Sequence, residues 1–330
     1  MLNTGMLFAL LVLGFLGLIT STGFVVIVLR AVPRYLGERR TALAKLQVRP
    51  GFTPPLTLLK PLHGAEPGLE AHLESFFHQD YPTYEILFCA RSPHDPGLDL
   101  ALQVAARNPS VPAKFLSTNG HPDYINAKAA SMEIMESEAA HDILVISDSD
   151  VRVTSDYLRA VALPFADPQV GATTCPYRGV AAEGGLWARL EAVGMSVEMT
   201  SGVLAARDLE GMQFVLGPTM AFRRETIRRM GGFQITADYC ADDFVLGNQT
   251  CKLGQTVVLS HHAIDHIVIN ANFADSIKHQ VRWMKSTRFS RPAGHLATAL
   301  SFSLPYGLLA FAAAAALGHI GQHRVGREGG

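Results

Sequence analysis

Residues 1–29 carry no charged side chain, and no other feature constrains the fold as strongly. About 20 apolar residues cross the hydrocarbon of a bilayer, and there a helix must satisfy its own backbone. The run is longer than the apolar core of a secretion signal and has no basic leader, so a transmembrane helix is expected over residues 1–30. Arg30, Arg34, Arg39, Arg40, Lys45 and Arg49 follow it. Positive flanks stay inside, which turns the bulk of the chain toward the cytoplasm at the inner membrane. An uncleaved export signal is the competing reading, and the Arg-rich flank opposes it. Residues 31–55 read as a basic linker bounded by prolines. A second charge-free stretch, Ala297 to Ile320, contains Pro305 and Gly307 and could span, re-enter or lie in the interface. A polar tail, residues 321–330, follows.

Between these stretches, short apolar runs alternate with amphipathic ones. Thr57–Leu59, Glu85–Ala90, Lys114–Ser117 and Ile143–Ser147 read as strands. Glu66–His78, Leu98–Arg107 and Ile125–Ser137 read as helices. That rhythm predicts an α/β fold: a Rossmann-like mixed, mostly parallel sheet with helices on both faces, over residues 56–278. From Gly184 the rhythm changes to a long helix over Leu186–Leu204 with Met195 and Met199 on one face, then a strand end and turn at Val215–Pro218 and helices over Arg223–Met230 and Asp242–Leu253. A basic helix over residues 279–295 leads into the second apolar segment, residues 296–320. The net charge of −1 gives no global field for nucleic acid. The four cysteines form no C-x-x-C pair, which argues against a thiolate zinc site and a disulfide framework.

The chemistry of such a sheet lies beyond the carboxyl ends of its strands. Asp148 and Asp150 end the run Ile143–Ser147, and side chains two apart on a strand share a face. Two such carboxylates suit Mg²⁺ or Mn²⁺ shared with substrate phosphates. Asp95 follows an earlier strand. Asp242 and Asp243 open a helix, where they favour the dipole or supply a general base. Arg282, Lys285, Arg288 and Arg291 recur at steps of three beside Trp283, as on a membrane-surface anchor. His261, His262, Asp265 and His266 invite a metal reading, against ordinary sheet-edge histidines. An Asp-x-Asp phosphatase shares the strand-end pattern, but Arg152 occupies its fifth position and the motif falls mid-chain.

The order Asp95, Asp148-Ser149-Asp150, Asp242-Asp243, Arg282-Trp283 resembles the D, DxD, D, (Q/R)xxRW series of family 2-like glycosyltransferases with the GT-A fold. Phe77 with Asp80-Tyr81-Pro82, His94-Asp95-Pro96, Asn126 with Lys128, and Val151-Arg152-Val153 narrow the resemblance to the ceramide glucosyltransferase family, family 21. His279 to Met284 with Ser286-Thr287-Arg288 resembles the bacterial branch associated with hopanoid biosynthesis. His279 stands where the series has Gln or Arg.

The resemblance implies an inverting, metal-dependent transferase. Asp95 would contact the uridine, and Asp148 the ribose or metal. Asp150 would hold the metal that bridges the diphosphate. Lys128, Asp242 and His279 would belong to the nucleotide-sugar site. Asp243 would deprotonate the acceptor hydroxyl, and Arg282 and Trp283 would hold the diphosphate and wall the acceptor site. The implied partners are a UDP-sugar, a membrane lipid acceptor and the bilayer. A hopanoid polyol with UDP-N-acetylglucosamine is the leading expectation, and ceramide with UDP-glucose the alternative. A processive polysaccharide synthase shares the motifs, but it normally needs several helices to form a channel and one clear N-terminal helix argues against it; a non-enzymatic membrane adaptor would leave function untouched by Asp150→Asn or Asp243→Asn.

Overall fold

The computed structural model describes residues 3–48, 51–182, 185–270 and 272–328. The chain divides into two compact units, residues 34–286 and residues 1–33 with 287–330.

The larger unit is built on strands β1 (Leu56–Pro61), β2 (Tyr84–Ala90), β3 (Ala113–Ser117), β4 (Ile143–Ser147), β5 (Val151–Arg152), β6 (Val170–Thr174), β7 (Tyr177–Ala181), β8 (Thr219–Arg223), β9 (Thr256–Leu259) and β10 (Ile264–Val268). Its helices, after the long N-terminal α1 (Thr4–Val48), are α2 (Leu69–Phe77), α3 (Pro96–Arg107), α4 (Ala127–Glu138), α5 (Tyr157–Ala162), α6 (Leu186–Gly194), α7 (Thr200–Glu210), α8 (Arg224–Met230), α9 (Asp242–Lys252) and α10 (Phe273–Ser290). The seven-stranded sheet has the order β3-β2-β1-β4-β8-β6-β9. All its neighbours pair parallel except β8, which runs against both β4 and β6. A small sheet, β5-β10-β7, adjoins it in sequence.

Burial explains the strand sequences. Every residue of β2, β4 and β6 is buried, so these strands do not alternate between apolar and polar faces. Leu59, Leu87, Leu144, Ile146, Met220 and Phe222 meet Met132 and Met135 of α4 and Leu246 of α9 in one core.

In the smaller unit, α1 faces α11 (Pro292–Ser301) and α12 (Ser303–Glu328). Thr4–Ala44 and Ser303–Ile320 are long and apolar enough to cross a membrane. Gly17 permits the close approach of α1 and α12: a Cβ there would fall 2.0 Å from Cγ of Tyr306. The Thr20 hydroxyl donates to Leu300 O at 3.0 Å.

Several sequence expectations change. Residues 31–48 are not a linker but continue α1 as helix, through Pro33. Residues 49–50, 183–184 and 271 lie outside the described residues. The helix expected over 279–295 begins at Phe273 and breaks at Arg291, before Pro292, and the expected tail is helical to Glu328. The long helix from Leu186 holds a π-turn at Met195–Met199 and runs on to Glu210. Two central strands, β6 and β8, were not expected at all. Val215–Pro218 is the expected turn, but it leads into β8 rather than ending a strand.

Candidate active site

The parallel strands β1, β2 and β4 end at one edge of the sheet, and β8 begins there because it runs the other way. Asp148 and Asp150 follow β4, and the turn they form leads into β5. Pairing of β5 with β10 sets His266 opposite Val151, and the Ile267 N–H donates to Asp150 O at 2.8 Å. His266 Nδ1 thereby lies 3.6 Å from Asp150 Oδ1. Neither atom has a hydrogen-bond partner, although both are buried.

Lys128 sits in the first turn of α4. Asn126 caps that helix, accepting the Lys128 N–H at 3.1 Å, and its amide donates to Tyr239 O at 3.0 Å. This ties α4 to the loop that opens α9. Lys128 Nζ consequently reaches Asp148 Oδ1 at 2.6 Å and Asp242 Oδ2 at 3.4 Å. Burial alone would lower the Lys128 ammonium, but Asp148, Asp242 and Asp243 outweigh it and hold the group above its usual range. Asp243 accepts the Phe244 N–H at 2.8 Å and the Gly217 N–H at 3.1 Å. A Cβ on Gly217 would lie 3.5 Å from Asp243 Oδ2 and 3.8 Å from Asp148 Oδ2, so the two carboxylates converge on this glycine.

Burial and the neighbouring carboxylates dominate the electrostatics. Burial, then Asp148 and Glu66, raise Asp150 to about 7. Burial and the adjacent Asp242 raise Asp243 to about 7, against Phe244 N–H, Lys128 and Gly217 N–H. Burial, with a smaller push from Arg282, keeps His266 below its usual value and hence neutral, the form that ligates metals.

Sequence reasoning missed three contributors. Lys60, fully buried at the end of β1, donates to Asp148 O at 2.6 Å and lies 3.9 Å from the Phe76 ring centroid. Its burial lowers the ammonium to about 7 despite Asp148 and Asp150. A lysine inside an otherwise apolar strand was the available signal. Glu66 accepts the Ser149 hydroxyl at 3.1 Å. Glu191, on α6, is fully buried at its carboxylate and takes the Ser276 hydroxyl at 2.6 Å, the Asn270 amide and His279 Nδ1. The His279 ring lies 4.7 Å from that of Trp283.

The remaining expected residues distribute unevenly. Asp95 caps α3, accepting Gly97 N–H at 2.8 Å, and both its oxygens take Gly64 N–H at 3.0 Å. It borders an open cleft of about 470 Å³ with His63, Arg91 and Asn119. A larger cleft of about 570 Å³ lies over α2 and α3 and is lined by none of the aspartates above. Of the histidine cluster only His266 joins the site. His261 stacks on Tyr35, His262 faces Asp156, and Asp265 pairs with Arg152 and Arg178.

Among the described residues no group of three His, Cys, Asp or Glu side chains is arranged to hold a metal ion. Asp150 and His266 nonetheless present two unsatisfied ligand atoms toward each other. Mg²⁺ needs few protein ligands where phosphates and water complete its shell, so these residues fit a divalent cation.

The profile of glycosyl transferase family 21 matches residues 18–324. The chain belongs to this family. The family 21 protein is 27% identical over 263 residues to ceramide glucosyltransferase 3 of Caenorhabditis elegans, covering 78% of this chain and 55% of that one. It is 24% identical over 211 residues to ceramide glucosyltransferase 1 of the same organism (63% and 44%). It is 38% identical over 106 residues to the ceramide glucosyltransferase of Komagataella phaffii (31% and 21%). The chain thus spans about half or less of the length of these curated relatives. Among solved structures it is similar to the mannosyltransferase PcManGT from Pyrobaculum calidifontis in complex with GDP-Man and Mn²⁺, at 20% identity and a TM-score of 0.57 over 89% of this chain and 87% of that one. The fold is of the GT-A kind.

Proposed function

We propose that this family 21 protein transfers a sugar, with inversion, from a nucleoside-diphosphate sugar to the hydroxyl of a membrane lipid. One observation carries the reading: Asp243, a buried carboxyl raised to about 7, converges with Asp148 on Gly217. A base of that strength, with its lone pairs oriented by two backbone N–H groups, is matched to a lipid alcohol at neutral pH. Asp243 takes the hydroxyl proton as the oxygen attacks the sugar carbon. Lys128 and Arg282 place positive charge where the diphosphate leaves. Asp95, Asp242 and His279 belong to the donor side of the site, with the uridine near Asp95 and its cleft, and Trp283 walls the acceptor. Mg²⁺ or Mn²⁺ held by Asp150 and His266, beside Asp148, would supply charge neutralisation for the diphosphate.

The relatives favour ceramide or a ceramide-like lipid as acceptor and UDP-glucose as donor, since all three are ceramide glucosyltransferases. The hopanoid polyol with UDP-N-acetylglucosamine rests on the residues from His279 to Arg288 alone and ranks second. The basic residues behind the first apolar run support a site facing the cytoplasm, where nucleotide sugars are made. The test is UDP release by the purified full chain with ceramide and with a hopanoid polyol, each with UDP-glucose and UDP-N-acetylglucosamine. Release with ceramide and UDP-glucose is expected. Release with the hopanoid alone would reverse the two acceptors, and no release with any pair would sink the transferase reading.

A further inference from the structure

Strand β1 carries Leu56, Leu58 and Lys60 on one face, since side chains two apart point the same way. All three are fully buried. The face packs on α2, where the Phe76 ring centroid lies 3.9 Å from Lys60 Nζ. A third leucine would complete that apolar layer. A lysine must instead take its amine out of water, and there it meets the Phe76 ring and one carbonyl, Asp148 O at 2.6 Å. The carboxylates of Asp148 and Asp150 are met by Lys128 and His266. A buried amine without an ion pair is unfavourable, so packing does not account for this residue in β1.

Helix α2 repeats the pattern. Leu69, His72, Leu73, Phe76 and Phe77 form its buried stripe at helical spacing, and His72 stands where an apolar side chain is expected. His72 Nδ1 lies 3.3 Å from Ser149 O, which can only accept, so the ring carries a proton on that nitrogen. A Cβ on Gly68 would fall 3.2 Å from His72 Nε2, so the glycine leaves the ring its room. The Ile267 N–H donates to Asp150 O at 2.8 Å. Each carbonyl of Asp148-Ser149-Asp150 therefore accepts from a different element: β1, α2 and β10. Glu66 adds a fourth tie through the Ser149 hydroxyl, at 3.1 Å.

The turn needs such ties. β4 ends at Ser147 and β5 is two residues long, so no ladder defines the backbone between them. The Asp148 carboxylate repels that of Asp150 and favours a relaxed turn that separates them. Anchors on the carbonyls behind the two side chains oppose that relaxation. We infer that Lys60 is a positioning residue: it fixes the Asp148–Asp150 turn in the shape that takes up a divalent cation together with the donor diphosphate, with His72 as second anchor. The inference deepens the proposed function and rests on its reading of these aspartates as the cation and diphosphate site. Lys60 acts through the backbone of the turn. A role through charge alone predicts the opposite outcome, because removing a positive group beside a cation site tightens the cation.

The experiment titrates the full chain in detergent with UDP, in Mn²⁺ and in EDTA, by calorimetry. The variants are Lys60→Met, which keeps the stem, and His72→Phe, which keeps the ring. Lys114→Met is the control, since Lys114 likewise donates to a carbonyl, Glu138 O at 2.6 Å, but away from the site. Lys60→Met should weaken Mn²⁺-dependent UDP binding by about 10–100-fold, the usual effect of removing a group that orients metal ligands. UDP binding in EDTA should stay at the parent value. His72→Phe should show a smaller loss of the same kind, and Lys114→Met none. Hydrogen exchange over residues 147–153 of the metal-free protein should be faster in Lys60→Met. Parent-like affinity in Mn²⁺, or parent-like exchange at the turn, would overturn the positioning role. Tighter Mn²⁺ binding would assign Lys60 to charge, and equal losses with and without metal would assign it to general stability; either overturns the inference. Should Lys60→Met fail to fold, His72→Phe decides, and parent-like affinity there overturns it. A parent that binds UDP with Mn²⁺ but transfers no sugar removes the transferase reading and leaves this one standing. A parent with no Mn²⁺-dependent binding removes both.

Discussion

Replacing Asp243 with Asn separates catalysis from stability, and the structure sets both magnitudes. Loss of a positioned general base costs about 10²–10⁴-fold in rate, or about 3–5 kcal/mol of barrier. The substitution also removes a buried charge. The carboxyl is raised from 3.8 to about 7 by burial and Asp242. At about 1.4 kcal/mol per pH unit, the ionised group weakens the fold by at most roughly 4 kcal/mol. The sign follows from linkage. A carboxyl raised in the folded state costs nothing below its unfolded value, since both states are protonated. The penalty grows as pH rises from about 4 and is complete above about 7. Asn cannot ionise and retains a carbonyl for the Gly217 N–H, but it loses one acceptor, worth about 1–3 kcal/mol. The stability of Asp243→Asn relative to the parent should therefore improve by roughly 2–3 kcal/mol between pH 5 and pH 8. Chemical denaturation in detergent at both pH values reads the stability, and UDP release at saturating donor reads the rate. The parent rate should fall below about pH 7 as Asp243 protonates, and the variant should lose that limb. Turnover within tenfold of the parent, or an unchanged acid limb in the variant, would refute the assignment of Asp243 as base.

Three further outcomes are expected. His266→Ala should raise the Mn²⁺ concentration that supports UDP binding by about 10–100-fold, whereas His262→Ala should leave it unchanged; isothermal titration with Mn²⁺ and UDP distinguishes them. Gly17→Leu should separate α1 from α12 or force Tyr306 aside, at about 1–3 kcal/mol, seen as a lower midpoint of thermal inactivation in detergent. Glu191→Ala leaves Ser276, Asn270 and His279 without their shared acceptor and should destabilise the larger unit by about 2–4 kcal/mol; Glu191→Gln, which keeps an acceptor, should cost less than half as much by the same denaturation.

What the sequence made legible follows from periodicity and its limits. The strands β1 to β4 and the helices between them announce themselves because each is a short apolar run set off by polar turns. The parallel order places Asp148 and Asp150 where strand ends are expected to carry chemistry. β6 (Val170–Thr174) and β8 (Thr219–Arg223) escaped notice because Gly171, Thr173, Thr174 and Thr219 dilute the apolar signal in strands that are nevertheless buried. The helical continuation over residues 31–48 was hidden by Pro33 and by the basic run, which composition alone cannot tell from a linker. Within the site, the aspartates were legible because carboxylates at strand ends are conspicuous. His266 was one of several candidates, and only the pairing of β10 with β5 singles it out. Glu191 lies 88 residues before His279, and nothing in local sequence connects them.

The reversed direction of β8 has a consequence for how the protein fails. Gly217, which orients Asp243, is fixed by the strand that starts two residues later. That strand is locked on both sides, with Thr219 against Ser147 and Phe222 against both Leu144 and Ala172. A loop that hung freely from the sheet could melt first and leave the rest standing. Here the orientation of Asp243 is inherited from the register of the central ladder, so the two should be lost in one cooperative transition. Heating should therefore produce no intermediate that is folded but catalytically disordered at Asp243, and the midpoints for inactivation and for loss of the sheet should coincide.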